Sequence, residues 1–546
     1  MEQEAVTLYR YLEEARVEQV PEAFKEVVLW DVAHNTYLKP RWHQVTGLNL
    51  CFLAERTGIY DEQGTGKTLI SQAFAAWQGM VGNKVICLMP PVLIGQYMES
   101  FLGTLKGIDK LLKIEAYVGI LKKRQAMATK WDKDGWPDIL LMTYDGFREE
   151  GHAFGEEYNA LIMDECRILG CEDNIVYGRI MEFMGPYGCK YGLAMSGTPA
   201  KNNLAGLYGH IKFVSPWIYK SKVDFDIQHV NYKTIPVRLK NDRIRDTKVI
   251  DSFENVKDLY LNLYTNARRV EKREVLELPA KNIIHFPVQL SKKHKEAYDQ
   301  FVTSRLMIFD DNTVLDGSTS SAMRQNAMKA VVHSEILQLK EETAVFAAID
   351  EIIEQTGIWA TKVFLLCHYR KTVEKVATHL KKYNPAVIYG GTSNPEKEKN
   401  KFLKDDTCRV AVANYVAGGV GLNLQGVCYT AICVEPTTVP GDFDQACDRL
   451  HRSGQKEVVN IYVLMVKATI FITAVSSMVK KKLYNSSVVS KAQIERELMG
   501  EDLSDLAKDA DEIEASNERN KFEEEEAGEL PTAPDPEPLA KGWNVM

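Results

Sequence analysis

Short, uninterrupted apolar runs recur along this chain, each bounded by turn signals. KVICLM (Lys84–Met89), ALIM (Ala160–Met163) and Gly192–Met195 fall in its first 220 residues. KVFLLC (Lys362–Cys367), Ala386–Tyr389, RVAVA (Arg409–Ala413), Thr430–Val434 and Val459–Val466 fall beyond residue 345. Side chains alternate across a strand, so a run apolar at consecutive positions predicts a strand buried on both faces, as in a parallel sheet covered by helices. Helical stretches fill the intervals. The expected fold class is α/β, in two parallel-sheet units.

The pattern divides the chain further. Residues 1–30 predict a helical N-terminal extension, 31–220 the first unit, and 346–470 the second. The stretch 221–345 is more charged and predicts mostly helices. Residues 471–500 predict a basic C-terminal helical brace, in which Lys480, Lys481 and Lys482 suit a solvated face. The longest apolar run, Val458–Val475, contains Asn460 and Lys467 and is rich in β-branched residues, so a buried strand entering a helix fits better than a membrane span. The first residues, MEQEAVTLYR, lack the apolar core of a signal peptide.

Charge changes the picture. The 546 residues carry a net −8, which argues against a nucleic-acid partner until its distribution is considered. Residues 501–546 hold 15 acidic and 4 basic side chains, leaving the first 500 residues at +3. That tail, with Glu523–Glu526 followed by PTAPDPEP, has the composition of a disordered segment. It is expected either to solubilise the chain or to fold back and inhibit it. The ten cysteines form no CxxC pair, and Cys166 and Cys171 are spaced wrongly for a zinc knuckle. Reduced thiols and a cytoplasmic location, bacterial or viral-host, are expected.

Candidate chemistry begins at IYDEQGTGKTLI, residues 59–70. A phosphate loop aims backbone N–H groups at phosphate oxygens beside a helix N-terminus. Gly64, Thr65 and Gly66 would allow the close approach, Lys67 would reach the β/γ-phosphates, and the Thr68 hydroxyl would ligate Mg²⁺. The pattern departs from GxxxxGK[ST] at its first glycine, where Asp61 stands. Asp164 and Glu165 follow ALIM directly. At a strand end they would lie at the sheet edge, Asp164 to hold Mg²⁺ and Glu165 to polarise the attacking water. Ser196-Gly197-Thr198-Pro199 follows another strand and predicts either a relay from the γ-phosphate or a turn. Gln445, Arg449 and Arg452 have the spacing of one helical face, and two arginines would neutralise charge developing on the γ-phosphate. They belong to the second unit, so the ATP site is expected in the cleft between units.

Taken together, these motifs resemble the Swi/Snf-type ATPases, double-stranded DNA translocases of helicase superfamily two. The resemblance covers about residues 38–470. In that family the phosphate loop opens with Asp-Glu, as Asp61-Glu62 does here. LKPRWHQVTGLNL (38–50) is similar to the entry motif, with Gln44 in the adenine-reading position. KVICLMPPVLIGQY (84–97), MTYDGF (142–147), AMSGTPAKNNLAGLYGHIKFVSP (194–216), VIYGGTS (387–393), VAGGVGLNL (416–424, with Gly421 on the nucleotide side) and QACDRLHRSGQK (445–456) complete the set. The resemblance implies two RecA-like lobes with helical insertions between them, ATP and Mg²⁺ as cofactors, and translocation along double-stranded DNA without strand separation. ARRVEKREVLELPAK (267–281) is similar to the family's basic helix near the lobe junction.

Three departures stand out. Arg167 replaces the histidine of Asp-Glu-x-His, a position that helps couple ATP state to DNA. EPTTVPGDFDQA (435–446) lacks the Trp-Asn before its proline, and VKATIFI (466–472) lacks the acidic pair after Thr-Ile. Backbone-tracking DNA contacts are expected at Pro90, Lys201, Asn202, Gly391, Thr392 and Gly418. The expected activity is an ATP-driven motor on duplex DNA, acting as a monomer and displacing bound protein, with no membrane partner. A strand-separating helicase and an ATPase directed at RNA polymerase are the alternatives.

Overall fold

Two all-parallel sheets organise the chain. The computed structural model describes residues 5–32, 35–154, 158–185, 188–200, 204–238, 244–309, 313–359, 361–392, 394–415 and 423–489. All belong to the unit Met1–Glu495. The acidic tail, residues 490–500 of the brace, and the site candidates Lys201, Asn202, Gly418 and Gly421 lie outside the described residues.

The first sheet comprises β1 (Arg56–Ile59), β2 (Val85–Met89), β3 (Ile114–Tyr117), β4 (Ile139–Thr143), β5 (Ala160–Met163), β6 (Tyr191–Met195) and β7 (Ala267–Arg268). Their spatial order is β7-β1-β6-β5-β2-β4-β3, every pair parallel. The second comprises β8 (Lys281–Val288), β9 (Lys362–Cys367), β10 (Ala386–Ile388), β11 (Val410–Asn414), β12 (Cys428–Cys433) and β13 (Val459–Val466), ordered β8-β13-β12-β9-β11-β10. These pairs are parallel too.

Both faces of each sheet are covered, which is why the strands read as continuous apolar runs. In β2, Val85, Cys87 and Met89 enter one core while Ile86 and Leu88 enter the other. In β9, Val363, Leu365 and Cys367 divide from Phe364 and Leu366 in the same way. The run Val458–Val475 is a buried strand, β13, entering a helix (Ile470–Val489), as its polar interruptions predict. No described helix is long and apolar enough to cross a membrane.

Two regions differ from expectation. The described residues 5–32 hold an α-helix, Leu8–Glu14, a short 3₁₀ helix, Glu22–Glu26, and a strand, Val28–Asp31, that pairs with Leu105–Lys106. Leu8, Tyr11, Leu12 and Leu29 enter a core shared with the first sheet, so this segment is part of the first lobe. The stretch 221–345 is not mostly helical either. It holds a long antiparallel hairpin, Val230–Arg238 against Ile244–Phe253, and supplies an edge strand to each sheet, β7 and β8. Charged side chains on a solvated hairpin obscured the strand pattern.

Candidate active site

β1 ends at Ile59 and delivers Tyr60, Asp61 and Glu62 to the sheet edge; the helix α2 (Lys67–Met80) starts after four intervening residues, with α1 (Trp42–Leu53) packed beside it. Gly64 and Gly66 have φ of +82° and +91°, conformations that strain any residue with a Cβ. Gly66 is the N-cap of α2, and no side chain caps that terminus. Its first-turn N–H groups and the helix dipole therefore face the loop, the arrangement that binds phosphate. The loop is braced from α1. His43 Nε2 lies 2.8 Å from the Thr65 carbonyl, and Gln44 donates from Nε2 to the Gly66 carbonyl at 3.1 Å while its Oε1 accepts from the Arg41 N–H. Thr65 donates to the Glu62 carbonyl. Gln44 thus ties α1 to the phosphate loop through the same amide proposed to read adenine.

Asp61, which stands at the glycine position, is 1% exposed, and Arg268 of β7 meets its Oδ2 at 2.5 Å. The adjacent Glu62 pairs with Arg269 at 3.2 Å. The departure from the glycine pattern therefore has a local cause: two carboxylates anchor the edge strand β7 to the loop. The ammonium of Lys67 donates to the carbonyls of Asp61 and Glu62 at 2.7 and 3.1 Å, which holds it over the loop. Burial lowers its pKa, opposed by the charges of Glu165, Asp61 and Asp164.

Asp164 and Glu165 leave the end of β5. The Asp164 carboxyl is pushed up to about 6 by burial and by the charge of Glu165, with Lys67 opposing. Glu165 has φ +51°, a strained conformation for a residue with a side chain, and its Oε2 is buried with no partner among the described residues. Two crowded carboxylates with an orphaned oxygen suit a divalent cation and a water. Mg²⁺ commonly takes one or two carboxylates together with phosphate oxygens. Asp164, at the end of β5, and the Thr68 hydroxyl, in the first turn of α2, are the residues that would hold it.

The second lobe supplies the opposite wall. Helix α3 (Pro440–Cys447) presents Gln445, which donates from Nε2 to Glu165 Oε1 at 3.2 Å. Here the helical-face expectation needs correction. α3 ends at Cys447, so Arg449 and Arg452 lie on the turn that follows rather than on its continuation. The turn still brings Arg452 against the phosphate loop: a Cβ built on Gly64 would lie 3.2 Å from Arg452 Cβ. The Arg452 guanidinium is pushed down to about 10 by burial and by the neighbouring Arg449 charge, and it donates to Asn423 Oδ1 at 2.5 Å. Arg449 is also lowered by burial, opposed by Glu165, Asp448 and Asp164.

Other sequence candidates are placed as follows. Gly197 packs on Gln63 of the phosphate loop, and its carbonyl accepts from Arg269 at 3.2 Å; Thr198 N–H closes a turn on Ser196 Oγ. Pro90 caps the helix Pro91–Thr104 at the end of β2. Gly391, at φ +108°, and Thr392, whose hydroxyl accepts from the Tyr389 N–H, form a tight turn after β10. The structure adds contacts that the motifs did not foresee. Arg167 lies between Gln445 Oε1, at 3.5 Å, and Asp442 Oδ1, at 3.7 Å, so the histidine's replacement reaches across the lobes. Arg268, Arg269 and Lys272 also belong here; their only sequence signal was a basic run near the junction.

A phosphate loop, a strand-end acidic pair and trans arginines on two parallel-sheet lobes define a helicase-type P-loop ATPase. Family profiles agree: the SNF2-related domain matches residues 43–345 and the helicase conserved C-terminal domain matches residues 344–454. The chain belongs to the SNF2-related family, ATP hydrolases of helicase superfamily two. Similar curated proteins include the TATA-binding protein-associated factor MOT1 of Saccharomyces cerevisiae, 23% identical over 71% of this chain and 23% of that protein. The human SWI/SNF-related matrix-associated actin-dependent regulator of chromatin subfamily A member 1 is 22% identical over 79% of this chain and 42% of its own length. The RAD54-like DNA repair and recombination protein of Drosophila ananassae is 24% identical over 91% of this chain and 68% of its own. The chain thus spans only part of most such relatives. The SWI2/SNF2 ATPase core of Sulfolobus solfataricus, solved in complex with dsDNA, is 18% identical, with 84% of this chain and 95% of that one covered at a TM-score of 0.38.

Proposed function

We propose that this chain hydrolyses ATP in the cleft between its lobes and uses the resulting lobe movement to travel along double-stranded DNA, displacing or remodelling bound protein. The observation that carries this reading is the bond from Gln445 to Glu165, with Arg452 seated on Gly64: each half of the site belongs to a different sheet. A chemical step that needs both walls is coupled to their separation. The DNA substrate is supported by relatives named for DNA repair and recombination and for the regulation of chromatin.

In this reading Lys67 and the α2 N-terminus hold the phosphates, and Mg²⁺ when bound neutralises their charge. Glu165 orients the water and accepts its proton. Gln445 positions Glu165. Arg449 and Arg452 meet the charge that develops as the γ-phosphoryl leaves, an effect of about 10³ to 10⁵ in rate where such arginines have been removed. A reducing, cytoplasmic setting is supported by ten free thiols, nine of them buried.

The test is steady-state ATPase without nucleic acid and with single-stranded DNA, duplex DNA or RNA, beside Glu165→Gln. Stimulation mainly by duplex DNA, lost in the variant, followed by displacement of a triplex-forming strand, supports the motor. Unwinding of a forked duplex would replace it with a strand-separating helicase. ATPase indifferent to every nucleic acid would redirect the search to a protein partner such as RNA polymerase.

A further inference from the structure

Residues 269–280 join the edge strand of one sheet, β7, to the edge strand of the other, β8. They do more than connect. At one end Arg268 pairs with Asp61, and Arg269 donates to Glu62 and to the carbonyls of Tyr60 and Gly197. The Lys272 N–H then donates to Glu62 Oε2 at 2.8 Å. From that point Lys272 turns its side chain to the second lobe. Its Nζ reaches Asp448 Oδ1 at 2.7 Å and donates to the His451 carbonyl at 3.1 Å. His451 Nε2 is 2.8 Å from the Pro279 carbonyl, and Lys281 stands 3.7 Å from Asp448. Asp448 and His451 immediately precede Arg449 and Arg452.

Lys272 is only 7% exposed, although lysine is seldom buried unless paired. Its backbone is fixed to the phosphate loop and its ammonium to the turn that carries both arginines. A cavity of about 900 Å³ lies alongside, bounded by Gln63, Gly197, Arg269, Lys272, Asp448 and His451. Close packing does not confine the lysine on that side, so its position rests on these polar contacts.

We propose that Lys272, through Asp448 and the His451 carbonyl, is a positioning residue for Arg449 and Arg452, fixing the distance from the arginine turn to the phosphate loop. The junction is then a working part of the ATP site. This deepens the proposed hydrolysis and rests on it. A bridge that served stability alone would leave turnover intact once the chain is folded. A positioning role acts chiefly in the transition state, where the arginines meet developing charge.

The experiment compares the full chain with Lys272→Met, Lys272→Arg and Asp448→Asn. It records kcat and KM for ATP with saturating duplex DNA, and affinities for ADP and for ADP with aluminium fluoride. Expected for Lys272→Met and Asp448→Asn is a loss of about tenfold or more in kcat, with KM changed by less than about threefold. The aluminium fluoride complex should weaken in step with kcat while ADP affinity holds, and Lys272→Arg should recover most of the loss. Unchanged kinetics, or a raised KM at unchanged kcat, overturns the proposal. If Lys272→Met does not fold, Asp448→Asn, which keeps side-chain volume, decides by the same criteria. A wild-type chain with no turnover under any condition overturns the hydrolysis reading and this one together; wild-type turnover with unaffected variants overturns this one alone.

Discussion

At Gly66 a single hydrogen atom decides whether a phosphate can be held. Its φ is +91°, and a Cβ there would lie 2.5 Å from Gln44 Nε2. A left-handed alanine costs about 1–2 kcal/mol before any clash is counted. Gly66→Ala is therefore expected to weaken ATP binding by about tenfold or more, measured with a fluorescent ATP analogue; unchanged affinity would mean that the loop relaxes around the methyl. Asp61 answers to a different rule. It is a buried carboxylate held by Arg268, and removing one partner of such a pair commonly costs about 3–5 kcal/mol. Arg268→Met should lower the urea midpoint by a corresponding amount, whereas a loss below about 1 kcal/mol would show that water reaches Asp61. Both roles were half legible. Gly64, Gly66 and Lys67 form a local pattern that repeats in space as it does in sequence. The partner of Asp61 lies 207 positions away, and nothing in a run such as ARRVEKR distinguishes a buried guanidinium from a solvated one.

Among elements, the parallel strands were the most legible, because a run buried on both faces has no polar positions to confuse it. β2, β5 and β9 fall where the apolar runs stand. The hairpin Val230–Phe253 and the end of α3 were not, since charge on a solvated strand and the stop of a helix at Cys447 leave weak local signals. Strand ends also explain Glu435, which follows β12 and is fully buried. Its carboxylate accepts from the N–H groups of His368 and Tyr369 and from the Thr372 hydroxyl, at the start of the helix Arg370–His379. Burial pushes its pKa up to about 7, with these bonds and Lys329 opposing. His333 faces the same Thr372 hydroxyl from the other side. A carboxyl raised in the folded state contributes stability that is present below its ordinary value and lost as pH climbs from about 4.5 through about 7. Thermal melts at pH 5 and pH 8 should differ less in Glu435→Gln than in the parent chain. An equal difference in both would assign the pH dependence to other groups.

For the whole molecule, the proposed ATP site draws on both lobes, so a duplex bound across them would be linked to nucleotide. Linkage requires that whatever factor ATP contributes to DNA affinity, DNA contributes to ATP affinity. In Glu165→Gln, which should bind without turning over, fluorescence anisotropy of a labelled duplex with and without ATP, and the converse titration, should give the same factor. A factor of one in both directions would mean that closing the cleft does not alter the DNA track, and Arg167, which bonds across the lobes where the family has histidine, would be the first residue to restore. Raising salt should weaken duplex binding steeply, with a log–log slope of about −0.9 per phosphate contact.

The junction also sets a length. Twelve residues lie between Arg268 and Lys281, and a fully extended chain spans about 3.3–3.6 Å per residue, so their ceiling is about 40 Å. Successive phosphates on one DNA strand advance about 3.4 Å along the helix axis. An advance of one base pair therefore uses less than a tenth of the leash. In the proposed motor, contour length would not set the stride; the number of staples along the leash that let go at each turnover would.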